Sequence, residues 1–293
     1  MHAFFRYQYI RINWSWYHFY RSRYYQGWDG AAIEYYQKAI NKGIDEALIK
    51  LANIYTEINR KKEAEKLYLK AIDTGDINGL NNLANLYSDS GNNKYAEKFY
   101  LKAIKSGNID AIYNLGLHYT NIDQMSKAEK YFQLAIDKGN IDALNSLALM
   151  YYYTNQKRKK AVELIEKYIA KNNDIFGLLS YVRILLWAGK MEIFETQVQK
   201  LVPELIKNNN SNKLAILFIE FLVHKQYYLA LQLFKDHNIG NQLKDMIKPL
   251  YYVTVGFIPG AEYVEELLKP GRELEENIKQ FKEYIQEKQK VYY

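Results

Sequence analysis

The chain has 293 residues, a formal net charge of +7 and a pI near 9.0, so it is mildly basic and long enough to bury a sizeable core. It contains no cysteine, which excludes disulfides and thiolate chemistry, and no apolar run approaches the roughly 18 residues of a membrane span. Its first residues lack the apolar segment of a cleaved signal peptide, so we expect a soluble, intracellular and cytoplasmic protein.

The N-terminal segment, residues 1–29, differs from everything that follows. Twelve of the first 28 residues are aromatic and four are arginine, with no acidic residue among them. Ile10, Ile12, Trp14 and Trp16 alternate with polar residues, a period closer to that of a strand than to that of a helix. Three interpretations remain open: a degenerate N-terminal cap, a segment that binds a membrane surface or a partner, and a misassigned start of the reading frame.

Residues 30–174 contain a repeat of 32 residues. Each unit carries leucine, a small residue and tyrosine at i, i+1 and i+4, and then two alanines seven residues apart with an aromatic residue between them. The first triplet occupies Leu51, Ala52 and Tyr55; Leu83, Ala84 and Tyr87; Leu115, Gly116 and Tyr119; and Leu147, Ala148 and Tyr151. The second occupies Ala64, Tyr68 and Ala71; Ala96, Tyr100 and Ala103; and Ala128, Phe132 and Ala135, with Ala161 one residue late in the fourth unit.

This spacing predicts two helices in each unit, because residues at i, i+4 and i+7 share one helical face. Alanines allow close approach of the two helices, and the aromatic residues fill the space beside them. Glycines follow the second helix, where a C-terminal cap requires positive φ; they are Gly43, Gly75, Gly107 and Gly139. Asp45, Asp110 and Asp142 are expected as N-cap or first-turn acids. Helix pairs of this kind are stable only when stacked, so the predicted fold is an all-α solenoid.

Beyond residue 174 the apolar pattern continues without the alanines. Residues 175–271 are predicted to form degenerate helix pairs, Phe176–Trp187 with Met191–Ile206 and Leu214–Leu222 with Tyr228–Phe234. Residues 272–293 are predicted to form a C-terminal capping helix with one apolar stripe on a charged helix.

The repeat resembles the tetratricopeptide family. Residues 32–40, Ala-Ile-Glu-Tyr-Tyr-Gln-Lys-Ala-Ile, are similar to that family's second helix, and the leucine–small–tyrosine triplet is similar to its first. The repeat is shorter than the usual length of about 34 residues and lacks the family's junction proline. The junctions Gly107–Ala111 and Gly139–Ala143 read Gly-x-x-x-Ala and resemble Sel-like repeats, without their glycine-containing insertion. Both resemblances imply a right-handed superhelix that scaffolds complexes.

The resemblance also implies that the first helix of each unit lines a concave groove where a partner binds. Carried over by register, the groove positions are acidic and rich in asparagine at first, and aromatic later. The candidate partner-binding residues are Asn53, Asn81, Asn85, Asp110, Tyr113, Leu117, Asp142, Asn145, Tyr152 and Tyr153. Acids also stand at Glu46, Glu57 and Asp89, and the groove positions contain no lysine or arginine.

Family members that clamp a C-terminal carboxylate place lysines and an arginine around asparagines. Here the asparagines match at Asn53, Asn82, Asn85 and Asn114. The lysine positions hold Ile49, Asn78, Asn81 and Asp110 instead, which disfavours a carboxylate clamp. We therefore expect a neutral or basic extended peptide, or a partner protein, as the ligand.

No catalytic, cofactor or metal site is predicted. The five histidines show no metal-ligand spacing, and His118 is predicted to be a surface residue beside Tyr119. The basic run from Lys157 to Lys160 is expected in a solvated turn between helices. A protein-interaction scaffold is the favoured function. The alternatives are a nucleic-acid-binding helical repeat that uses basic turns and a regulatory subunit of an enzyme. A membrane contact is expected only through residues 1–28.

Overall fold

The computed structural model describes residues 28–172 and 174–207, together with isolated positions between 217 and 290. Every regular element of this described part is an α-helix, and none is a strand. The helices of the two continuous stretches are α1 (Trp28–Asn41), α2 (Glu46–Glu57), α3 (Lys61–Asp73), α4 (Asn78–Asp89), α5 (Asn93–Lys105), α6 (Asp110–Asn121), α7 (Met125–Asp137), α8 (Asp142–Tyr153), α9 (Arg158–Lys171), α10 (Ile175–Trp187) and α11 (Met191–Lys207). The all-α prediction is confirmed wherever the chain is described.

The chain divides into two compact units, residues 1–143 and residues 144–293. In unit 1, α2 packs against α3, α4 against α5 and α6 against α7, and each pair packs on the next through α3 with α4 and α5 with α6. The first helices also contact each other, α2 with α4 and α4 with α6. In unit 2, α9 packs on α10 and α10 on α11. Unit 1 therefore shows the consecutive stacking of a helical-repeat solenoid.

The predicted core positions are buried in every repeat. The four triplet leucines are at most 2% exposed, and the alanines at the start of each second-helix motif are fully buried. Tyr87 alone among the triplet tyrosines is half-buried. Gly116 allows a close approach in the third pair, since a Cβ atom there would lie 2.7 Å from the Phe132 ring. Small residues thus set the distance between the paired helices.

The turns within and between pairs depend on residues that tolerate positive φ. The predicted junction glycines all have positive φ, between 80° and 93°. A second periodic set lies in the turns within pairs, at Asn59, Gly91, Asp123 and Asn155, with φ of 62°, 74°, 59° and 53°. Asparagine, aspartate and glycine are the residue types that enter this region at low cost. The tight turns therefore follow directly from the local sequence.

The N-terminal caps of the first helices differ from the prediction. Asp110 and Asp142 do lie in first turns, but Asp45 makes no capping hydrogen bond with its side chain. Asn108 and Asn140 provide the caps instead, because their Oδ1 atoms accept from the backbone N–H of residues 111 and 143 at 3.0 and 2.9 Å. An asparagine two residues before the acid satisfies a helix N–H that the acid does not reach.

Of the elements predicted outside the regular repeats, one helix pair lies within the described residues. The pair 176–187 and 191–206 is confirmed as α10 and α11. The N-terminal segment 1–29 lies outside the described residues apart from the start of α1. The pair 214–222 and 228–234 and the capping helix 272–293 also lie outside them, except for isolated positions. These boundaries remain predictions.

We expect Ala96→Phe to destabilise the protein by about 1–3 kcal/mol or more. Ala96 is fully buried in the packing of α5, so a phenylalanine ring has no space there. Lys98→Phe is the matched control on the exposed side of the same helix and should change stability by about 0.5 kcal/mol or less. Urea unfolding followed by circular dichroism measures both variants. Equal midpoints would contradict the assigned core.

Candidate functional site

The candidate partner-binding residues lie on the first helices of the pairs. Asn53 is on α2, Asn81 and Asn85 are on α4, and Asp110 is on α6 with Tyr113 and Leu117. We refer to the non-core surface of α2, α4 and α6 as the first-helix face. Asp142 begins α8 at the end of unit 1, whereas Asn145, Tyr152 and Tyr153 belong to unit 2.

Within the first two pairs, an asparagine of the first helix accepts a hydrogen bond from the tyrosine of the second helix. Tyr68 Oη donates to Asn53 Oδ1 at 2.7 Å, and Tyr100 Oη donates to Asn85 Oδ1 at 2.5 Å. In the third pair the equivalent positions are both apolar, at Leu117 and Phe132. The hydroxyl and the amide are therefore present together or absent together, which avoids an unsatisfied polar group in a partly buried site.

Asparagines also connect consecutive pairs. Asn114 Nδ2 donates to Asn81 Oδ1 at 3.1 Å, and Asn82 Nδ2 donates to Asn53 Oδ1 at 3.4 Å. These bonds fix the amide orientation by using the oxygen atoms of Asn53, Asn81 and Asn85. No described residue accepts a hydrogen bond from the Nδ2 groups of Asn81 and Asn85. Asn85 is partly exposed and keeps two donors for a ligand, whereas Asn81 is only 8% exposed and offers little surface to one.

A second set of tyrosine hydroxyls joins each first helix to the preceding second helix. Tyr87 Oη donates to Glu65 Oε1 at 2.5 Å, and Tyr119 Oη donates to Glu97 Oε1 at 2.7 Å. Burial, with the hydrogen bond to Glu65, raises the pKa of Tyr87 to about 12. Both hydroxyls stay protonated at neutral pH and donate to the carboxylates. The glutamates are therefore structural links between pairs.

The charge of the first-helix face is acidic. The predicted acids on this face are all solvent-exposed: Glu46, Glu57, Asp89 and Asp110. Asp142, at the start of α8, is also exposed. Lys50 is the single basic residue in the sequences of α2, α4 and α6, apart from the histidine on α6. Lysines are instead concentrated on the second helices. The first helices α2, α4 and α6 are thus net acidic, whereas the second helices α3 and α5 are net basic.

His118 is buried, with 1% of its surface exposed, so the prediction of a surface residue was wrong. Its Nδ1 lies 2.8 Å from Ser88 Oγ of the preceding pair. Burial lowers the pKa of His118, and its Nε2 has no hydrogen-bond partner in the described part of the chain. The repeat register could have predicted this burial, because the equivalent positions in the other repeats are all apolar. Leu86 and Met150 are buried there, and Ile54 is partly buried.

Tyr113 and Leu117 are both partly exposed on α6. The Tyr113 ring lies 6.0 Å from that of Phe132, so it rests on the aromatic residue that fills the third pair. The first-helix face accordingly changes along the chain, from asparagine amides on α2 and α4 to apolar side chains on α6.

In unit 2 the structure separates the candidate residues. Tyr152 is 2% exposed, its hydroxyl donates to Glu220, and its ring lies under the Arg183 guanidinium. It therefore has no face left for a ligand, and its predicted contact role does not hold. Tyr153 is 41% exposed, and its Oη accepts a hydrogen bond from Arg183 Nη2 at 2.9 Å. Asn145 is buried.

An ion pair in unit 2 was missed by sequence reasoning. Arg183 Nη2 lies 2.8 Å from Glu220 Oε1, and both side chains are at most 10% exposed. His224 is buried nearby, and burial lowers its pKa. In the sequence Glu220 only interrupts an apolar run, and no local pattern connects it to an arginine 37 residues away. The pair is a structural centre of unit 2.

Metal and membrane features can be assessed for the described residues. Among them, no three or more histidine, cysteine, aspartate or glutamate side chains are arranged to hold a metal ion. No described helix combines the length and the apolar character needed to cross a membrane.

Antiparallel helix pairs with a 32-residue period, packed consecutively through small residues, define an α-helical repeat protein. Family models of the tetratricopeptide repeat match residues 47–77, 77–106 and 109–137, which are the three pairs of unit 1. Residues 47–137 therefore consist of tetratricopeptide repeats, as the sequence predicted. Repeats of this family generally mediate protein–protein interactions. The Sel-like character of the junctions remains a prediction.

Solved structures show the same fold. A tetratricopeptide repeat protein from Parabacteroides merdae has a TM-score of 0.57 at 18% identity, covering 85% of this chain and 98% of its own. The C-terminal part of a repeat protein from Cytophaga hutchinsonii has a TM-score of 0.50 at 17% identity, with coverages of 85% and 94%. A chain of the APC/C hetero-tetramer Cut9–Hcn1 has a TM-score of 0.53 at 12% identity, and the match covers 86% of this chain and 46% of that one.

The sequence has no significant match among curated proteins. At these identities the structural similarity establishes the fold alone.

We expect Tyr100→Phe to cost about 1–2 kcal/mol, because it leaves Asn85 Oδ1 without its donor. Adding Asn85→Leu should recover part of this loss, since the double variant recreates the apolar pair of Leu117 and Phe132. Tyr95→Phe on the same helix is the control and should change stability by about 0.5 kcal/mol or less. Free energies of unfolding from urea titrations of the single and double variants give the coupling energy between Tyr100 and Asn85. If the loss in the double variant equals the sum of the two single losses, the two residues do not act as a pair.

The buried His118 should make stability depend on pH. Its pKa is lower in the folded protein than the ordinary value of 6.5, so the unfolded chain binds a proton first as pH falls. The stability associated with neutral His118 is complete above about pH 6.5 and is lost as pH falls towards the folded pKa. Between about pH 7.5 and pH 5.5, wild type should lose more unfolding free energy than His118→Gln. Identical pH slopes would refute this role.

Proposed function

We propose that unit 1 is a peptide-binding module whose first-helix face holds an extended, neutral or basic segment of a partner protein. The observation that carries this proposal is the combination of exposed acids with oriented amide donors on α2, α4 and α6. The family's general role in protein–protein interaction is consistent with it.

The peptide backbone would be bound by asparagine amides. Asn85 is partly exposed and its oxygen is engaged by Tyr100, so its Nδ2 group is oriented before a ligand arrives. Asn81 is oriented in the same way by Asn114 but is buried, so it is the less accessible of the two. An extended peptide offers carbonyl oxygens at regular intervals, and these are the acceptors that such donors need. Orientation by supporting hydrogen bonds lowers the entropy cost of binding.

The charge of the ligand follows from the acids. Asp110 and Asp142 are exposed and lie one repeat apart. A basic peptide would be attracted to this row, whereas an acidic peptide would be repelled. Exposed charges contribute more to association rate and selectivity than to affinity, so the acids are expected to select among ligands.

Side-chain contacts would be concentrated on α6. Tyr113 and Leu117 are partly exposed, and the Tyr113 ring lies beside the packed Phe132. They offer apolar area on a helix that is held in place by the core. Aromatic residues of this kind are frequent hot spots. We therefore expect the ligand to place an apolar side chain against α6 and its polar or basic part along α2 and α4. Tyr153 is proposed as a separate contact of unit 2, with Asn145 as its less accessible neighbour on α8.

The test is a peptide-array screen with wild-type protein, followed by fluorescence-polarisation titration of the selected peptides. Tyr113→Ala should weaken binding about five- to tenfold, since hot-spot truncations cost more than 1 kcal/mol. Asp110→Lys should weaken basic peptides several-fold, mainly through slower association and more strongly at low salt.

Asp73→Lys is the matched control, because Asp73 is an exposed acid on the second helix α3. It changes the net charge by the same amount and should leave peptide affinity unchanged. Selection of acidic peptides, or wild-type affinity in both the Tyr113 and Asp110 variants, would contradict the proposed face.

A further inference from the structure

Two second helices of unit 1 carry matching rows of exposed lysines. Each row has lysines at i, i+4 and i+8, which share one side of a helix, and the rows are 32 residues apart in sequence. We refer to these six residues as the lysine face: Lys62, Lys66 and Lys70 on α3, and Lys94, Lys98 and Lys102 on α5.

Neighbouring acids neutralise little of the lysine face, although Glu63 is close enough to Lys66 to interact with it electrostatically. None of its six lysines lies within 4.0 Å of a carboxylate oxygen in the described part of the chain. The glutamates of α3 and α5 are engaged elsewhere: Glu63 pairs with Arg60, Glu65 accepts from a tyrosine of the next pair, and so does Glu97. Asp73, at the end of α3, is the remaining exposed acid of these two helices.

This arrangement does not serve the stability of the helices. Like charges at i and i+4 on one helix repel each other, and each row contains two such pairs. Glutamate at alternate positions would have given favourable pairs instead. The repeated lysines therefore point to a ligand that is itself negatively charged.

Apolar side chains accompany the lysines. Leu69 and Leu101 occupy equivalent positions three residues after a lysine and are 40% and 41% exposed. Tyr95 is also exposed on α5, and Lys98 Nζ lies 5.8 Å from its ring centroid. Lysine can extend its charged end while its stem lies along apolar surface. Apolar residues among lysines are typical of surfaces that bind at a lipid interface.

We propose that the lysine face docks on an anionic lipid bilayer, with lysines on the headgroups and Leu69 and Leu101 against the acyl boundary. Because the two rows occupy equivalent positions in consecutive stacked pairs, we infer that they lie side by side on one surface. Such an arrangement fits a membrane surface better than a linear acidic peptide. α3 and α5 contain no arginine, the residue that most often reads nucleic acid, and exposed leucines contribute nothing to phosphate contacts. This surface is distinct from the first-helix face and does not depend on the function proposed for it.

The experiment is co-sedimentation of the full chain with phosphatidylcholine vesicles that contain about 30% phosphatidylserine, against phosphatidylcholine alone. Binding is expected to the anionic vesicles only and to weaken between about 0.05 M and 0.3 M salt. The double variant Lys98→Glu, Lys102→Glu should bind about tenfold more weakly or worse. Leu101→Ser should reduce the binding that remains at the higher salt concentration.

The control double variant is Lys159→Glu, Lys167→Glu, which makes the same change in net charge at exposed positions of α9. It should retain wild-type binding, and circular dichroism should show equal helix content for all variants. Equal losses in the two double variants, or no binding to anionic vesicles, would overturn the proposal. So would capture of a polyglutamate peptide or an oligonucleotide through these lysines without vesicle binding.

Discussion

The close approach of paired helices is the constraint on which the rest of unit 1 depends. Ala64, Ala96 and Ala128 are fully buried, and Gly116 has no space even for a Cβ atom beside the Phe132 ring. Because no side chain larger than a methyl group separates the helices at these positions, the neighbouring aromatic side chain can occupy only the space beside the contact. The repeat preserves this contact in every pair, and the polar groups are arranged around it.

Once the helices are held at this distance, the polar side chains become links with fixed partners. Tyrosines of second helices reach asparagines of the paired first helix, and tyrosines of first helices reach glutamates of the preceding pair. These links use up amide oxygens and carboxylates, and they leave amide donors on the first-helix face and lysines on α3 and α5. The two surfaces with proposed ligands are thus consequences of how the repeats are joined.

Unit 2 contains a buried polar network in addition to apolar packing. Besides the buried alanines Ala148 and Ala161, it contains the buried pair of Arg183 and Glu220, and Tyr152 completes the hydrogen bonding of the carboxylate. A buried ion pair is tolerated only when its remaining polar atoms are satisfied, so Tyr152 is held inside the unit. The decay of the repeat pattern after residue 174 therefore accompanies a change from small-residue packing to a polar network.

The amino-acid sequence was sufficient to predict the helix pairs, their 32-residue period, the buried leucines and alanines and the glycine turns. Each of these is set by local periodicity or by the backbone freedom of one residue. The sequence also predicted which residues lie on the first helices and that their exposed charges, apart from Lys50, are acidic. Three features became apparent only in the folded chain: the burial of His118, the removal of Tyr152 from the contact surface and the pairing of Arg183 with Glu220. Those outcomes depend on neighbours that are 30 or more residues away in the chain, and periodicity within one helix contains no information about them.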